Sequence, residues 1–227
     1  MNYQYAYLIL TALLFPIWAF LYLSKKEGRR EVIIISFLFG IGGILSELVY
    51  VKDWWKPLTI TNTLIGMEDF LFGFFIAGIA SIIYSRVFHK KIKRENTLFL
   101  KFKYKYIAIF FVILFFGSFF ILKNSFYASL LAFIFGISVI WIKRKDLIFN
   151  SIVSGILTLI IGIIVYFIMN FFLFGFIEQF WYLNGEWYSA LLFGIPMREY
   201  IWYLLAGMFI GPLYEYMMGR KLINIKR

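Results

Sequence analysis

The chain has 227 residues, 63% of them hydrophobic and 23% aromatic, with a mean hydropathy of +0.83 and a formal net charge of +11. A soluble domain of this length needs far more polar surface, so the composition is that of an integral membrane protein. There is no cysteine, which excludes both a disulfide framework and a thiolate metal site.

Seven apolar runs are long enough to cross a bilayer: residues 5–24, 32–51, 64–86, 105–122, 126–142, 147–177 and 190–218. About 20 helical residues cover the hydrocarbon core, so the sixth and seventh runs must tilt, bend or extend beyond it. Met1-Asn2-Tyr3-Gln4 carries no basic residue and no small-residue cleavage site follows the first run. That run reads as a retained helix rather than a signal peptide. Connections 25–31, 86–105, 143–146 and the tail after Gly219 together hold 19 of the 23 Lys and Arg residues, and the other connections hold three. The alternation predicts a multi-pass cell-membrane protein with its N-terminus outside and its C-terminus in the cytoplasm. The excess charge then faces anionic head groups and does not call for nucleic acid. His89 lies inside the most basic of these connections and reads as solvated or lipid-facing, not as a metal ligand.

An ungapped offset of 130 residues aligns Met67 with Met197, Glu68 with Arg198, Asp69 with Glu199, Phe72 with Trp202 and Tyr84 with Tyr214. Ala77 and Ser81 fall on Gly207 and Gly211, a small-xxx-small pair that supplies a flat face for close helix approach. Further upstream the register slips: Glu47-Leu48-Val49-Tyr50 resembles Glu178-Gln179-Phe180-Trp181, and Trp54-Trp55 resembles Trp187-Tyr188. The pattern predicts an all-α membrane protein whose seven helices form two parallel three-helix repeats plus a connecting helix. The first repeat with its basic loop covers 1–104, the connecting helix 105–122 and the second repeat 123–227. A pseudo-twofold axis along the membrane normal brings the third and seventh helices together.

Charge inside an apolar helix is costly and marks a cavity, a partner or a substrate. The two helix starts, Glu68-Asp69 and Arg198-Glu199, are therefore the leading candidate site, with Glu199 first, Glu68 beside it and Asp69 next. Arg198 is expected to ion-pair with Glu68 or Asp69 and so lock the two halves together. Phe72 and Trp202 lie one turn further along the same helix faces. Glu47 and Glu178 sit near outer helix ends, where contact with water is cheap, and form a second tier. Glu215, near the cytoplasmic end of the seventh run, is expected to be solvated or paired with Arg220.

These features resemble the lycopene cyclase family, the small helical carotenoid cyclases whose halves occur as separate subunits or fused in one chain. In that family a Pro-x-Glu-Glu or Pro-x-Glu-Asp motif opens the last helix of each half, after an aromatic loop with Trp. Pro196-Met197-Arg198-Glu199 is similar in its Pro and final Glu, and Gly66-Met67-Glu68-Asp69 in its two acids. The Tyr7 to Pro16 segment is also similar to the family's opening pattern. Arg198 stands where the family has an acid.

The resemblance implies redox-neutral cyclisation of a linear polyene end, an isomerase-type reaction on a hydrophobic isoprenoid or carotenoid. Such chemistry needs a proton donor, a proton acceptor and stabilisation of a buried carbocation. Glu68, Asp69 and Glu199 would divide the acid and base roles. The aromatic faces of Phe72, Trp202, Trp55 and Trp187 would stabilise the cation or line the substrate path. The alternative is a non-catalytic membrane protein, transporter-like or lipid-binding, that keeps the fold. No Gly-x-Gly-x-x-Gly, P-loop, zinc-protease or nucleophile-elbow motif occurs. No aspartate-rich diphosphate site occurs either, so no cofactor and no metal are indicated.

Overall fold

Inside a bilayer a backbone N–H or C=O has no water to bond, so apolar runs close their hydrogen bonds internally as helices. The computed structural model describes residues 3–94 and 106–224. In chain order the helices are α1 (Ala6–Ser24), α2 (Arg29–Tyr50), α3 (Met67–Val87), α4 (Tyr106–Leu122), α5 (Ser125–Lys143), α6 (Ile148–Phe172), α7 (Phe176–Phe180), α8 (Met197–Ile210) and α9 (Leu213–Met218). Five of them (α1, α2, α3, α5 and α6) are long and apolar enough to cross a membrane, and α4 is a shorter apolar helix. The chain is an all-α, multi-pass membrane protein. The boundary expected at residues 104–105, and the basic connection from residue 95 onward, lie outside the described residues.

Both overlong runs are interrupted rather than simply tilted. The sixth stops at Phe172, and Gly175, left-handed at φ 84°, turns the chain into the short α7. The seventh begins as a two-residue hairpin, β2 (Leu191–Leu192) against β3 (Ile195–Pro196). Its turn residues Phe193 and Gly194 both have positive φ, 51° and 76°, as a tight hairpin matched to strand twist requires. The hairpin delivers Met197 directly into the first turn of α8. At the other end Gly211-Pro212 separates α8 from α9, because proline cannot donate to the preceding turn. A backbone ladder joins the ends of α3 and α9, with β1 (Lys90–Arg94) antiparallel to β4 (Arg220–Asn224).

Helix packing has the same scheme in each half. The third helix, α3, lies along α2 and touches α1; α8 lies along α6 and touches α5. Small residues set these approaches. A Cβ on Gly43 would overlap the Asp69 carbonyl, and one on Gly73 would overlap that of Phe39. Gly207 and Gly211 are pressed in the same way against Ser154 and Thr158 of α6. Contact between the halves runs through α3, which meets both α6 and α8. Phe72 and Trp202, the two residues aligned by the 130-residue offset, meet there with ring centroids 5.9 Å apart. Glu215 departs from expectation: it is 1% exposed, and the one ion pair among the described residues is Arg144–Asp146.

Candidate active site

A cavity of about 180 Å³ lies between the halves, walled by α2, α3, α4, α5, α6 and α8. Its surface is overwhelmingly apolar, with Phe72, Phe111, Phe115, Phe133 and Trp202 among its rings. Two carboxyl groups reach it, Glu199 and Glu47, together with the hydroxyl residues Tyr7, Ser46, Tyr50, Ser129 and Tyr166.

Glu199 sits in the first turn of α8, aimed inward by the β2–β3 hairpin. Its Oε1 accepts from the indole N–H of Trp54 at 2.6 Å and of Trp181 at 2.7 Å, and its Oε2 accepts from the Tyr166 hydroxyl at 2.9 Å. Three donors from three segments of the chain thus fix one carboxylate. Each such bond contributes about 1.5–3 kcal/mol where the acceptor is charged, which offsets the cost of holding the group at 6% exposure. The donors come from both halves, since Trp54 follows α2 whereas Tyr166 and Trp181 belong to α6 and the segment after α7.

Glu47, on the last turns of α2, has a different environment. Its Oε2 accepts one long bond from the Trp55 indole, at 3.3 Å. Its Oε1 is buried without a partner among the described residues. An unpaired buried oxygen costs about 1–3 kcal/mol, and each such group in a folded protein calls for an explanation. The two acids are linked through their tryptophans. Trp55 and Trp181 lie 4.9 Å apart by ring centroid and pair as an isolated antiparallel bridge. Tyr7 packs edge-on against Trp55 at 4.6 Å.

The other predicted acids are turned to local structure. Asp69 Oδ2 accepts from the Gly66 N–H at 2.7 Å, as a carboxylate at the third helical position does when it closes a helix start, and Oδ1 accepts from the Tyr7 hydroxyl at 2.8 Å. Glu68 reaches back to the preceding loop and accepts from the Ile60 N–H at 2.7 Å. Neither residue lines the cavity. Glu178 is solvent-exposed on α7.

Arg198 overturns the expected ion pair. No carboxylate lies within ion-pair distance of it among the described residues. Its guanidinium donates to the backbone carbonyls of Asp53 at 3.2 Å, Trp54 at 2.8 Å and Tyr182 at 2.8 Å, and it lies over the Trp54 ring at 5.4 Å. It is a clamp between the aromatic loops of the two halves, made with carbonyls because the turns expose those at the point where the loops meet. The same clamp positions the Trp54 indole on Glu199.

Of the aromatic candidates, Phe72, Trp202 and Trp55 line the cavity. Trp187 does not; it is 54% exposed and packs edge-on against Phe126 and Tyr188. The indole that the second half brings to the site is that of Trp181, which donates to Glu199 and which the slipped alignment sets opposite Tyr50. Tyr166 gave no signal of its own beyond being a hydroxyl in the middle of an apolar run. Trp202 donates to the Tyr50 hydroxyl at 3.1 Å, and that oxygen lies 3.0 Å from Ser129 Oγ, so three of the cavity's polar side chains are tied together. Among the described residues no cluster of three or more His, Cys, Asp or Glu is placed to hold a metal.

Compared with known families, residues 124–217 match the model described as lycopene cyclase. The match runs from the cap of α5 to the end of α9 and includes Arg198, Glu199, Tyr166 and Trp181; Glu47, Trp54 and Trp55 lie before it. No curated protein and no solved structure matches the chain.

Proposed function

We propose that this chain, which matches the lycopene cyclase family model over residues 124–217, is a membrane carotenoid cyclase that closes the end of a linear polyene by proton transfer. The observation that carries the reading is the meeting of Glu199 and Glu47 in one apolar, aromatic-walled cavity.

The reaction is an isomerisation. A proton adds to the terminal carbon–carbon double bond and leaves a carbocation. A neighbouring double bond attacks that cation and closes the ring, and loss of a ring proton restores a neutral product. No electron is gained or lost overall. Glu47, whose Oε1 meets no donor, is the group suited to carry the proton in. Glu199, held by three donors, is suited to remain an anion, face the cation and take the ring proton. Two carboxyl groups in unlike surroundings divide acid and base roles in this way. The faces of Phe72 and Trp202 add attraction through the ring quadrupole, about 0.5–2 kcal/mol for each well-placed ring.

The same reading holds that α8 and α9 complete a seventh crossing, that α1–α3 and α5, α6 and α8 form parallel repeats joined by α4, and that the acids lie toward the outer face. Supporting this are the starts of α3 and α8 at Met67 and Met197 and the Phe72–Trp202 contact between aligned residues. The basic connections then rest on anionic lipid at the inner face.

Expression in cells that accumulate lycopene, with pigments separated by chromatography, tests the function. Wild type should yield a cyclic carotenoid, and Glu199→Gln and Glu47→Gln should not. Unaltered lycopene in the wild-type cells, with the protein folded in the membrane, would refute the proposal.

A further inference from the structure

The cavity is too small for a whole polyene, and its mouth shows where the rest of the molecule lies. A pocket that encloses a drug-sized ligand holds about 300–1,000 Å³, against about 180 Å³ here. One side of the cavity is formed by Leu38, Gly42 and Leu45 of α2, which share a helix face, and by Ala108, Val112 and Phe116 of α4. Leu38, Leu45 and Val112 line the cavity and are nonetheless 38%, 41% and 43% exposed. A residue that is both lining and exposed marks an opening, and this one faces sideways, where lipid surrounds the helices. Helix α4 is packed along α5 rather than along α2. Its ring contact with α2 is Tyr50 to Phe115, 5.7 Å between centroids, so the gap between the two helices is bridged near the end of α2 and left open beside it. Gly42 stands in that gap: a Cβ there would meet no atom within 4 Å, whereas one on the adjacent Gly43 would overlap the Asp69 carbonyl.

We infer that the α2–α4 gap is a lateral portal through which one end of a linear isoprenoid enters from the bilayer, while the remainder of the chain stays in lipid against α2 and α4. The inference rests on the cyclase reading for the identity of the ligand and extends it to the route. An apolar substrate in the membrane interior needs no passage through water, and both faces of the gap are apolar. Gly42 keeps the portal wide, and its lack of a side chain is the size-determining feature of the mouth.

The test compares Gly42→Phe with Gly42→Ala and with Gly117→Phe, the last being an equally unobstructed site on α4 that does not line the cavity. Each variant is expressed in lycopene-accumulating cells. Cyclic product and the lycopene that copurifies with the protein are both measured, along with the thermal midpoint in detergent. Gly42→Phe should lower product roughly a hundredfold, the scale of loss when a reacting group is kept from its place, and should copurify little lycopene. Gly117→Phe should stay within about twofold of wild type, and Gly42→Ala, which adds one methyl to the mouth, should fall between it and Gly42→Phe. If Gly42→Phe is folded and converts as wild type does, the portal is refuted while the cyclase reading stands. If wild type retains lycopene without converting it and Gly42→Phe does not retain it, the portal stands and the cyclase reading falls. If wild type neither converts nor retains lycopene, both fall. Should Gly42→Phe fail to fold, Val112→Trp closes the same gap from α4 and is judged by the same outcomes.

Discussion

At the start of α3, Asp69 engages both oxygens, one with the Gly66 amide and one with Tyr7, and Glu68 ties down the loop before it. At the start of α8, 130 residues on, Glu199 receives nothing from its own helix start; its three donors are Trp54, Trp181 and Tyr166. The difference begins one residue earlier in each helix. Where the first half has Glu68, the second has Arg198, and this cation gathers the carbonyls of both aromatic loops. With those loops drawn over α8, their indole N–H groups converge on the next residue, Glu199. Over α3 the corresponding acid is left to cap the helix. Equivalent sequence positions thus have unequal work: one helix start is a structural closure and the other faces the cavity. The second carboxyl of the cavity comes from α2, as Glu47, and not from the equivalent helix start.

The largest expected effect sharpens this contrast directly. Glu199→Gln should lower cyclic product by about 10²–10⁴-fold, the usual contribution of a general acid or base. Asp69→Asn should keep conversion within about tenfold and act mainly through stability, because one of two hydrogen bonds is lost, about 1 kcal/mol. Pigment chromatography of the two variants at matched protein levels measures the ratio. Equal losses would collapse the distinction between the two helix starts.

Next in size is the clamp. Arg198→Met removes a donor from three carbonyls. That of Trp54 keeps the Tyr182 N–H and that of Tyr182 a long bond from Ser189 Oγ. The cost of an unpaired group, about 1–3 kcal/mol, therefore falls mainly on Asp53, with the lost bonds to the other two added to it. The midpoint of thermal unfolding in detergent should fall by on the order of 10 °C, with conversion falling too as the Trp54 indole leaves Glu199. Arg198→Lys should recover part of the stability, since a lysine cannot reproduce the planar fork. Arg198→Glu, which places an acid there as in the motif that the segment resembles, should be worse than Met, because it sets a buried anion against three carbonyl oxygens. A variant with gained or unchanged conversion would show that the arginine is not what organises the loops.

How much of this was legible beforehand follows from the kind of signal each feature leaves. Apolar run length located α1 to α5 within about three residues of each end, because bilayer thickness fixes it, but ran past the end of α6 and both ends of α8; the ungapped offset found the starts of α3 and α8. The offset also picked out Phe72 and Trp202, which meet across the halves. What it could not give is the direction of a side chain. Glu68 and Glu199 are indistinguishable as acids in greasy helices, and only the loops decide which faces the cavity. Glu47 was discounted for lying near a helix end, yet Trp55 folds back over it and leaves it 3% exposed. The slipped register sets Trp187 opposite Trp54, and a slip of a few residues in an aromatic loop exchanges a buried indole, Trp181, for an exposed one. Arg198 was assigned an acid as its partner because charge suggests charge. In an apolar interior, turn carbonyls are the more numerous acceptors, and those of Asp53, Trp54 and Tyr182 are the ones it meets.

The smallest effects belong to the residues that the fold places away from the cavity, and they probe the comparison from its quiet side. Glu68 acts through one accepted hydrogen bond, from the Ile60 amide. A glutamine keeps a carbonyl oxygen at the same reach, so Glu68→Gln should retain that bond and leave conversion within about twofold, with a stability change within about 0.5 kcal/mol. Glu68→Ala removes the acceptor and leaves a partly buried amide unpaired, which should cost about 1–3 kcal/mol in stability while conversion per folded molecule stays near wild type. The separation of these two readouts is the point of the pair. If Glu68 were a proton donor, the Gln variant would fail as completely as Ala, because both lack the acidic proton. A structural acceptor instead tolerates Gln and not Ala. Thermal midpoints and pigment ratios measured on both variants distinguish these patterns, and loss of conversion in a fully stable Glu68→Gln protein would return that residue to the active site.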